Sequence, residues 1–198
     1  MCSSDLDEAR RVAAHTLRVF SDEDTWVVLP SGSCAAMLRH HYVDLLGPGE
    51  AARAASLARR TFELAQFIVH VLGITQLGRG LSGQRIVYHH GCHGLRDLGV
   101  HAEPLLLLGN AGAELLPWEA SEECCGFGGL FAVKLPEVSA AMADRKLDTL
   151  PTAAKPDVLT SADGGCLLQL SGRMKHRGIH LPARHLAELL LEGVDGRS

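Results

Sequence analysis

The sequence predicts an α/β fold with a largely parallel sheet flanked by helices. Short strand-like apolar runs alternate along the chain with stretches of helical periodicity, the order expected of parallel strands joined by helical crossovers. Two of these runs, within residues 27–34 and 159–166, continue alike through a turn of small residues and a cysteine into an apolar helix start. This likeness suggests a duplicated unit, with chance similarity between two strand-to-helix turns as the alternative.

The first part of the chain is expected to form three helices and one short strand. Residues 5–20 carry apolar side chains at helical spacing, and residues 25–29 form a β-rich run. A second helix is expected over residues 35–46, with Cys34 at the turn from strand to helix. Residues 50–72 predict one long helix, because their apolar side chains repeat on one helical face.

The second part of the chain alternates more regularly, and its long loop at residues 122–129 holds the densest group of glycines. The predicted strands are residues 85–90, 113–116, 157–161 and 179–181. The predicted helices are a short piece after residue 94, then residues 104–108, 136–150, 167–175 and 184–191.

Composition and charge argue against several classes of function. The 198 residues are 46% hydrophobic and 21% charged, as in ordinary globular proteins. The formal net charge is −4 and no basic run is longer than Arg59-Arg60, so nucleic acid is not an expected partner. The most apolar stretch, residues 67–72, is far shorter than the ~20 residues of a membrane span. Because a secretory signal pattern is also lacking, we expect a cytoplasmic protein with no membrane span.

The first residues of the chain allow two interpretations. The run from Cys2 to Leu6 can be written in codons that match a common sequencing-adapter sequence, in which case Cys2 is not a functional cysteine. Alternatively, it is a natural helix start, with Ser4 as the N-cap and Asp7 three positions later.

Four cysteines are expected to converge at one edge of the sheet. Cys92, the pair Cys124-Cys125 and Cys166 all lie in loops that follow strands, where ligand sites of α/β proteins usually form. In a reducing compartment such thiolates bind iron–sulfur clusters or zinc, and adjacent cysteines suit a polynuclear centre better than a single zinc ion. The glycines after the pair would let backbone N–H groups approach cluster sulfide. They are Gly126, Gly128 and Gly129. The alternatives are buried small hydrophobic residues or a vicinal disulfide.

Histidines and basic residues near the cysteines are weaker candidates. His89, His90 and His93 flank Cys92 and are able to ligate a metal, donate hydrogen bonds or carry protons, although packed or solvated histidines are commoner. Arg96 and Lys134 would be able to steer an anionic substrate or partner, with plain solvation as the alternative.

At the paired cysteines the chain resembles a known family. The segment from Cys124 to Glu137, with its CCGFGG and FAVK motifs, is similar to the cysteine-rich CCG domain and specifically to its lactate-utilisation protein A branch. Residues 30–37 (PSGSCAAM), the Tyr88-His89 and Cys92-His93 pairs, and residues 161–166 match the same branch in order. The resemblance covers nearly the whole chain from about residue 14 onward.

The resemblance implies two pseudo-repeated CCG units, of which the first is incomplete here. Residues 1–80 would be the remnant of the first unit, contributing Cys34 alone, and residues 81–198 the complete second unit. An N-terminal truncation of this kind would support the adapter interpretation of residues 2–6. Relatives among the heterodisulfide reductases end the motif with CxxC, whereas this chain has Gln169 at the second position, which puts a five-cysteine non-cubane cluster in doubt. The resemblance thus implies a [4Fe-4S] cluster on Cys92, Cys124, Cys125 and Cys166, with Cys34 as a further candidate.

By the same resemblance, the expected function is that of an iron–sulfur electron-transfer subunit in a cytoplasmic complex that oxidises L-lactate to pyruvate. Its partners would be the other subunits of that complex, and its role that of an electron relay and not of the lactate-oxidising site. A subunit of a glycolate- or glycerol-phosphate-oxidising complex is an alternative within the family. A thiol–disulfide oxidoreductase acting through Cys124-Cys125 and a zinc-stabilised interaction module are alternatives of other classes.

Overall fold

The computed structural model describes residues 3–22 and 24–195. The strands of these residues are Val27–Leu29 (β1), Thr61–Glu63 (β2), Arg85–Tyr88 (β3), Glu114–Leu115 (β4), Val158–Ser161 (β5) and Ala183–His185 (β6). The first helices are Ser3–Val19 (α1), Gly32–Ala36 (α2), Tyr42–Leu46 (α3), Ala51–Arg59 (α4) and Leu64–Gln66 (α5). The later helices are Cys92–Arg96 (α6), Ala102–Asn110 (α7), Leu130–Lys134 (α8), Pro136–Asp148 (α9), Gly164–His176 (α10) and Leu186–Asp195 (α11). Two π-helical turns, Met37–His41 and Phe67–Val71, and a 3-10 turn, Thr152–Ala154, complete the set.

The strands form two parallel sheets, which confirms the predicted α/β class. In the smaller sheet β1 pairs with β2, with Val27 opposite Thr61. The larger sheet has the order β4-β3-β5-β6, with Ile86 opposite Val158 and Leu159 opposite Ala183. Each sheet has a strand that leads through a short turn into a helix, β1 into α2 and β5 into α10, so the two similar sequence segments adopt the same local structure.

The predicted long helix over residues 50–72 is wrong. Residues 61–63 interrupt it as β2, because β1 needs a hydrogen-bonding partner and Thr61, Phe62 and Glu63 pair with it in parallel. Apolar side chains at helical spacing occur on both sides of this three-residue strand, so the periodicity alone did not reveal the break.

The last predicted strand is also misplaced. Residues 179–181 were expected to form the strand, but the strand is Ala183–His185, which begins two residues after Leu181. Ile179 and Leu181 instead pack as partly buried side chains against the core beneath α10. Their apolar character reflects this packing and not membership of the sheet.

Smaller differences lie at the ends of helices. The second helix begins at Gly32, with Ser31 as its N-cap, so Cys34 lies inside the first turn and not before it. Ser4 lies within α1, so it is not the N-cap of that helix, and Cys2 lies outside the described residues. The short helix α8 was not predicted at all.

Three buried clusters hold these layers together. One lies under the smaller sheet and contains Leu17, Val27 and Leu57. The larger sheet has a cluster on each face, one around Ile86 and one around Leu159. The described part of the chain contains no helix that combines the length and apolar character needed to cross a membrane.

Candidate metal centre

Five cysteines line one cavity of about 480 Å³ at the carboxyl ends of the strands. Three of them lie in the first turn of a helix that follows a strand: Cys34 in α2 after β1, Cys92 in α6 after β3, and Cys166 in α10 after β5. Cys124 and Cys125 lie in the loop between β4 and α8. Because the carboxyl ends of parallel strands share an edge, separate loops bring their thiols together there. The four cysteines expected as ligands and Cys34 therefore face the same space.

Cys125 and Cys166 form the most buried part of this group. Their sulfur atoms and a ring nitrogen of His89 lie within 4.8 Å of one another. The hydrogen bond that the Cys166 thiol donates lowers the pKa of Cys125 to about 4, with His89 assisting, whereas the same contact raises the pKa of Cys166. The contact therefore favours the thiolate form of Cys125 over that of Cys166.

Backbone N–H groups after the paired cysteines point at their sulfur atoms. The N–H of Gly126 donates to Cys124 Sγ and that of Phe127 to Cys125 Sγ, each at 3.4 Å. Gly126 has a φ of 84°, and a Cβ there would meet the carbonyl oxygen of Ser139 at 2.5 Å. This position therefore requires glycine if the N–H is to reach the sulfur. Gly128 and Gly129 lie further along the same loop on the cavity wall.

Cys92 completes the group from the opposite loop. Burial raises the pKa of its thiol, and the neighbouring Cys124 and Cys125 raise it further. The N-terminus of α10, with Gly164 and Gly165 on the cavity wall, supplies a compensating positive end of a helix dipole. The cavity is thus able to stabilise anionic sulfur.

Asp163 joins the two strand-to-helix turns at this cavity. Its Oδ1 accepts hydrogen bonds from Ser31 Oγ at 2.9 Å, from Ser33 Oγ at 2.8 Å and from the Ser33 N–H at 3.0 Å. Asp163 is the N-cap residue of α10, yet it makes no side-chain bond to its own helix. The carboxylate is instead used to hold the turn that carries Cys34.

Lys146 is a functional candidate that the sequence reasoning missed. It is fully buried on α9, its Nζ donates to the carbonyl of Ala120, and it lies 4.1 Å from the centroid of the Trp118 ring. Burial lowers the pKa of Lys146 to about 8, against the opposing effect of Cys125, Glu123 and the other cysteines. The sequence signal for its burial was its helical spacing, which places Lys146 on the same face of α9 as the buried Ser139, Ala143 and Leu147.

The histidines occupy three different environments. His89 donates from Nδ1 to the Ser121 carbonyl at 3.1 Å, which leaves its buried Nε2 without a hydrogen-bond partner among the described residues. His93 lines the cavity and pairs with Asp97 at 2.6 Å. Arg96 and Lys134 are exposed and do not line the cavity.

His90 does not line the cysteine cavity. Its ring stacks on that of His101, with 4.7 Å between the ring centroids and 9° between the ring planes. His101 in turn pairs with Glu122 at 3.1 Å. Since imidazole lone pairs lie in the ring plane, two parallel rings do not aim at one ion. Burial lowers the pKa of His90 to about 4, which keeps this ring neutral in the stack.

The donor set fits an iron–sulfur cluster. Thiolates from three loops, N–H groups on two sulfurs and the orphaned Nε2 of His89 are typical surroundings for cluster iron and sulfide. A cavity of about 480 Å³ is also much larger than a single ion needs. Gln169 does not line it, and donates instead to Ser139 Oγ at 2.8 Å. The residues that would hold the group are Cys92, Cys124, Cys125 and Cys166, with Cys34 and His89 adjacent.

Comparison with known proteins identifies one family model within this chain and relatives that span most of its length. The family model of the CCG cysteine-rich domain matches residues 86–171, the range that holds Cys92, Cys124, Cys125 and Cys166. Lactate utilization protein A from an Exiguobacterium species is 40% identical over 193 residues, covering 95% of this chain and 77% of the relative. The protein of that name from Geobacillus kaustophilus is 43% identical over 187 residues, covering 93% of this chain and 77% of the relative. Lactate utilization protein A 2 from Bacillus cereus is 36% identical over 192 residues, covering 96% and 78%.

The chain is therefore an α/β protein with a CCG cysteine-rich domain built around one multi-cysteine cavity. Within that class, it belongs to the lactate utilization protein A family.

Proposed function

We propose that this protein is an iron–sulfur electron-transfer subunit of a cytoplasmic complex that oxidises L-lactate to pyruvate. The observation that carries the proposal is the single cavity lined by Cys92, Cys124, Cys125 and Cys166, with backbone N–H groups directed at the paired sulfurs. A bound [4Fe-4S] cluster supplies one-electron redox chemistry there.

Different residues of the chain would bind, stabilise and shield that centre. The four cysteines act as ligands, and the N–H groups of Gly126 and Phe127 stabilise negative charge on sulfur. Trp118 and Phe127 pack with the cysteines in the same buried cluster, which limits access of water to the centre. Because Nδ1 of His89 donates to the Ser121 carbonyl, Nε2 carries a lone pair and is placed to bind iron.

Lactate enters the proposal through the relatives. Proteins named for lactate utilization are about 40% identical to this chain over most of its length. The partners would accordingly be the other subunits of a lactate-oxidising complex, and this subunit would relay electrons taken from lactate elsewhere in the complex.

The proposal is tested by measuring iron and acid-labile sulfide per chain, with an anaerobic absorption spectrum. We expect about four irons in the wild type and their loss in a Cys124→Ser/Cys125→Ser double variant. Cys34→Ser serves as the matched thiol control, because Cys34 faces the same cavity but is exposed. Retention of about four irons by that variant identifies the other four cysteines as the ligands. A folded wild type without iron after anaerobic reconstitution contradicts the proposal.

The contact between Cys125 and Cys166 favours a second candidate, a thiol–disulfide oxidoreductase. Oxidation of the Cys125 thiolate and the Cys166 thiol to a disulfide would release two electrons and one proton, which would reduce a disulfide of a partner to one thiol and one thiolate. Such a protein would be colourless, with two titratable thiols lost on oxidation. The same iron and absorption measurements therefore separate the two candidates.

A further inference from the structure

Lys146 places a positive charge inside the buried cluster that contains the site cysteines. Its side chain is 0% exposed, and its neighbours Ala143 and Leu147 on α9 pack in the same cluster as Trp118, Cys125 and Cys166. A lysine this deeply buried is rare unless its charge is compensated.

No carboxylate is paired with Lys146 among the described residues. Among the described residues, Lys146 forms no ion pair, and its Nζ contacts only the Ala120 carbonyl and the face of the Trp118 ring. Glu123 also acts on Lys146, but it is exposed and pairs with Arg145 at 3.2 Å. The other groups that raise the pKa of Lys146 are cysteines of the site, with Cys125 foremost.

We propose that Lys146 is the buried counter-charge of the metal centre and raises its reduction potential. This inference rests on the proposed iron–sulfur function. Adding one electron to a thiolate-bound cluster increases its negative charge, and a nearby ammonium in a low-dielectric surrounding stabilises that added charge. Lys146 is not a ligand, because its ammonium group donates to the Ala120 carbonyl and contacts the Trp118 ring. It acts through the electric field that its charge creates at the sulfur atoms.

A purely structural role makes a different prediction. Lys146 Nζ fastens the loop that precedes the paired cysteines through Ala120, so its removal would loosen that loop whatever its charge. Loosening would lower the amount of bound cluster, whereas loss of charge would shift the potential of the cluster that remains. The midpoint potential therefore separates the two roles.

The experiment is an anaerobic redox titration of the iron-loaded full chain at pH 7, with four variants beside the wild type. Lys146→Met removes the charge and the hydrogen bond, Lys146→Gln removes the charge but keeps an N–H donor, and Lys146→Arg keeps the charge. Lys175→Met is the matched control, since it removes an exposed lysine on α10, the helix that carries Cys166.

We expect Lys146→Met and Lys146→Gln to lower the midpoint potential by at least about 59 mV, a tenfold change in the ratio of reduced to oxidised protein for one electron. Lys146→Arg and Lys175→Met should change that ratio less than threefold. Should the Met variant lose its cluster, the comparison of the Gln and Arg variants decides. A wild-type potential in Lys146→Gln, or equal loss of cluster from the Gln and Arg variants, overturns the inference. A wild type that binds no iron overturns the iron–sulfur function itself, and the inference with it.

Discussion

Glu63 makes the stability of the fold depend on pH in a direction opposite to that of most carboxylates. It ends β2 with a side chain that is 1% exposed. Its Oε2 accepts from the N–H groups of Ala65 at 2.8 Å and Gln66 at 3.1 Å, and its Oε1 has no partner among the described residues. Burial is the largest influence and raises the pKa of Glu63 from 4.5 to about 7, and the nearby Asp163 and Glu103 add to the effect.

The sign and size of the effect follow from linkage. Because the folded-state pKa is raised, the folded protein binds more protons than the unfolded chain between about pH 4.5 and 7, and stability falls as pH increases through that window. Each tenfold change in proton affinity is worth about 1.4 kcal/mol. For pKa values of 4.5 and about 7, the penalty for the ionised carboxylate grows by about 2 kcal/mol between pH 5.5 and 8.5.

Glu63→Gln removes this titration and keeps an oxygen able to accept from Ala65 and Gln66. We expect the variant to gain about 2 kcal/mol relative to the wild type between pH 5.5 and 8.5, whatever its offset at either pH. The assay is anaerobic denaturant unfolding of both proteins at the two pH values, since all other titrating groups cancel in the difference. A stability difference that stays constant with pH would refute the argument that Glu63 is a buried acid with a raised pKa.

Three further predictions concern the turns around the cavity. Asp163→Ala removes the acceptor of three hydrogen bonds and should lower the free energy of unfolding by about 1–3 kcal/mol. Asp163→Asn keeps an oxygen acceptor and should lower it less. Equal losses in the two variants would contradict a stabilising role for these hydrogen bonds. Without bound metal, iodoacetamide should modify the exposed Cys34 before the buried Cys166, and mass spectrometry of timed samples would expose the reverse order. Gly91→Ala should lower the melting temperature and the iron content, because the added Cβ would overlap the Asp163 carboxylate. Gly49→Ala is the control and should leave both unchanged, because no atom lies within 4 Å of its Cβ. Equal behaviour of the two variants would exclude a steric role for Gly91.

How far the sequence determined the structure differed between the two halves of the chain. β3 and β5 were predictable because buried parallel strands have continuous apolar runs, and a glycine follows three residues after the end of each strand. β2 was not, because Thr61, Phe62 and Glu63 carry no such run and are held in the sheet by pairing with β1. Pairing is a long-range contact, and local periodicity does not report it.

Some residues of the candidate site were predictable from the sequence and others were not. The cysteines were predictable because each follows a strand, and parallel strands end at a common edge. Lys146 was not, because a lysine in a helix is ordinarily solvated, and only the packing of α9 against the Trp118 loop shows that its charge lies inside the protein. His89 was one of three histidines that flank Cys92 in the sequence, and only the structure shows which of them faces Cys125 and Cys166.

The two similar sequence segments meet beside the cavity, and a close backbone contact there explains why residue 32 is a glycine. The turn after β1 packs against α6 so closely that a Cβ on Gly32 would lie 2.7 Å from the Cα of Gly94. At this contact Asp163, from the turn after β5, binds Ser33 of the other turn. The approach of the two sheets is thus set by backbone contact and a buried carboxylate, both of which tolerate little displacement. Because Cys34 follows one turn and Cys166 the other, a change at this contact would alter the spacing of thiols in the cavity without touching any sulfur.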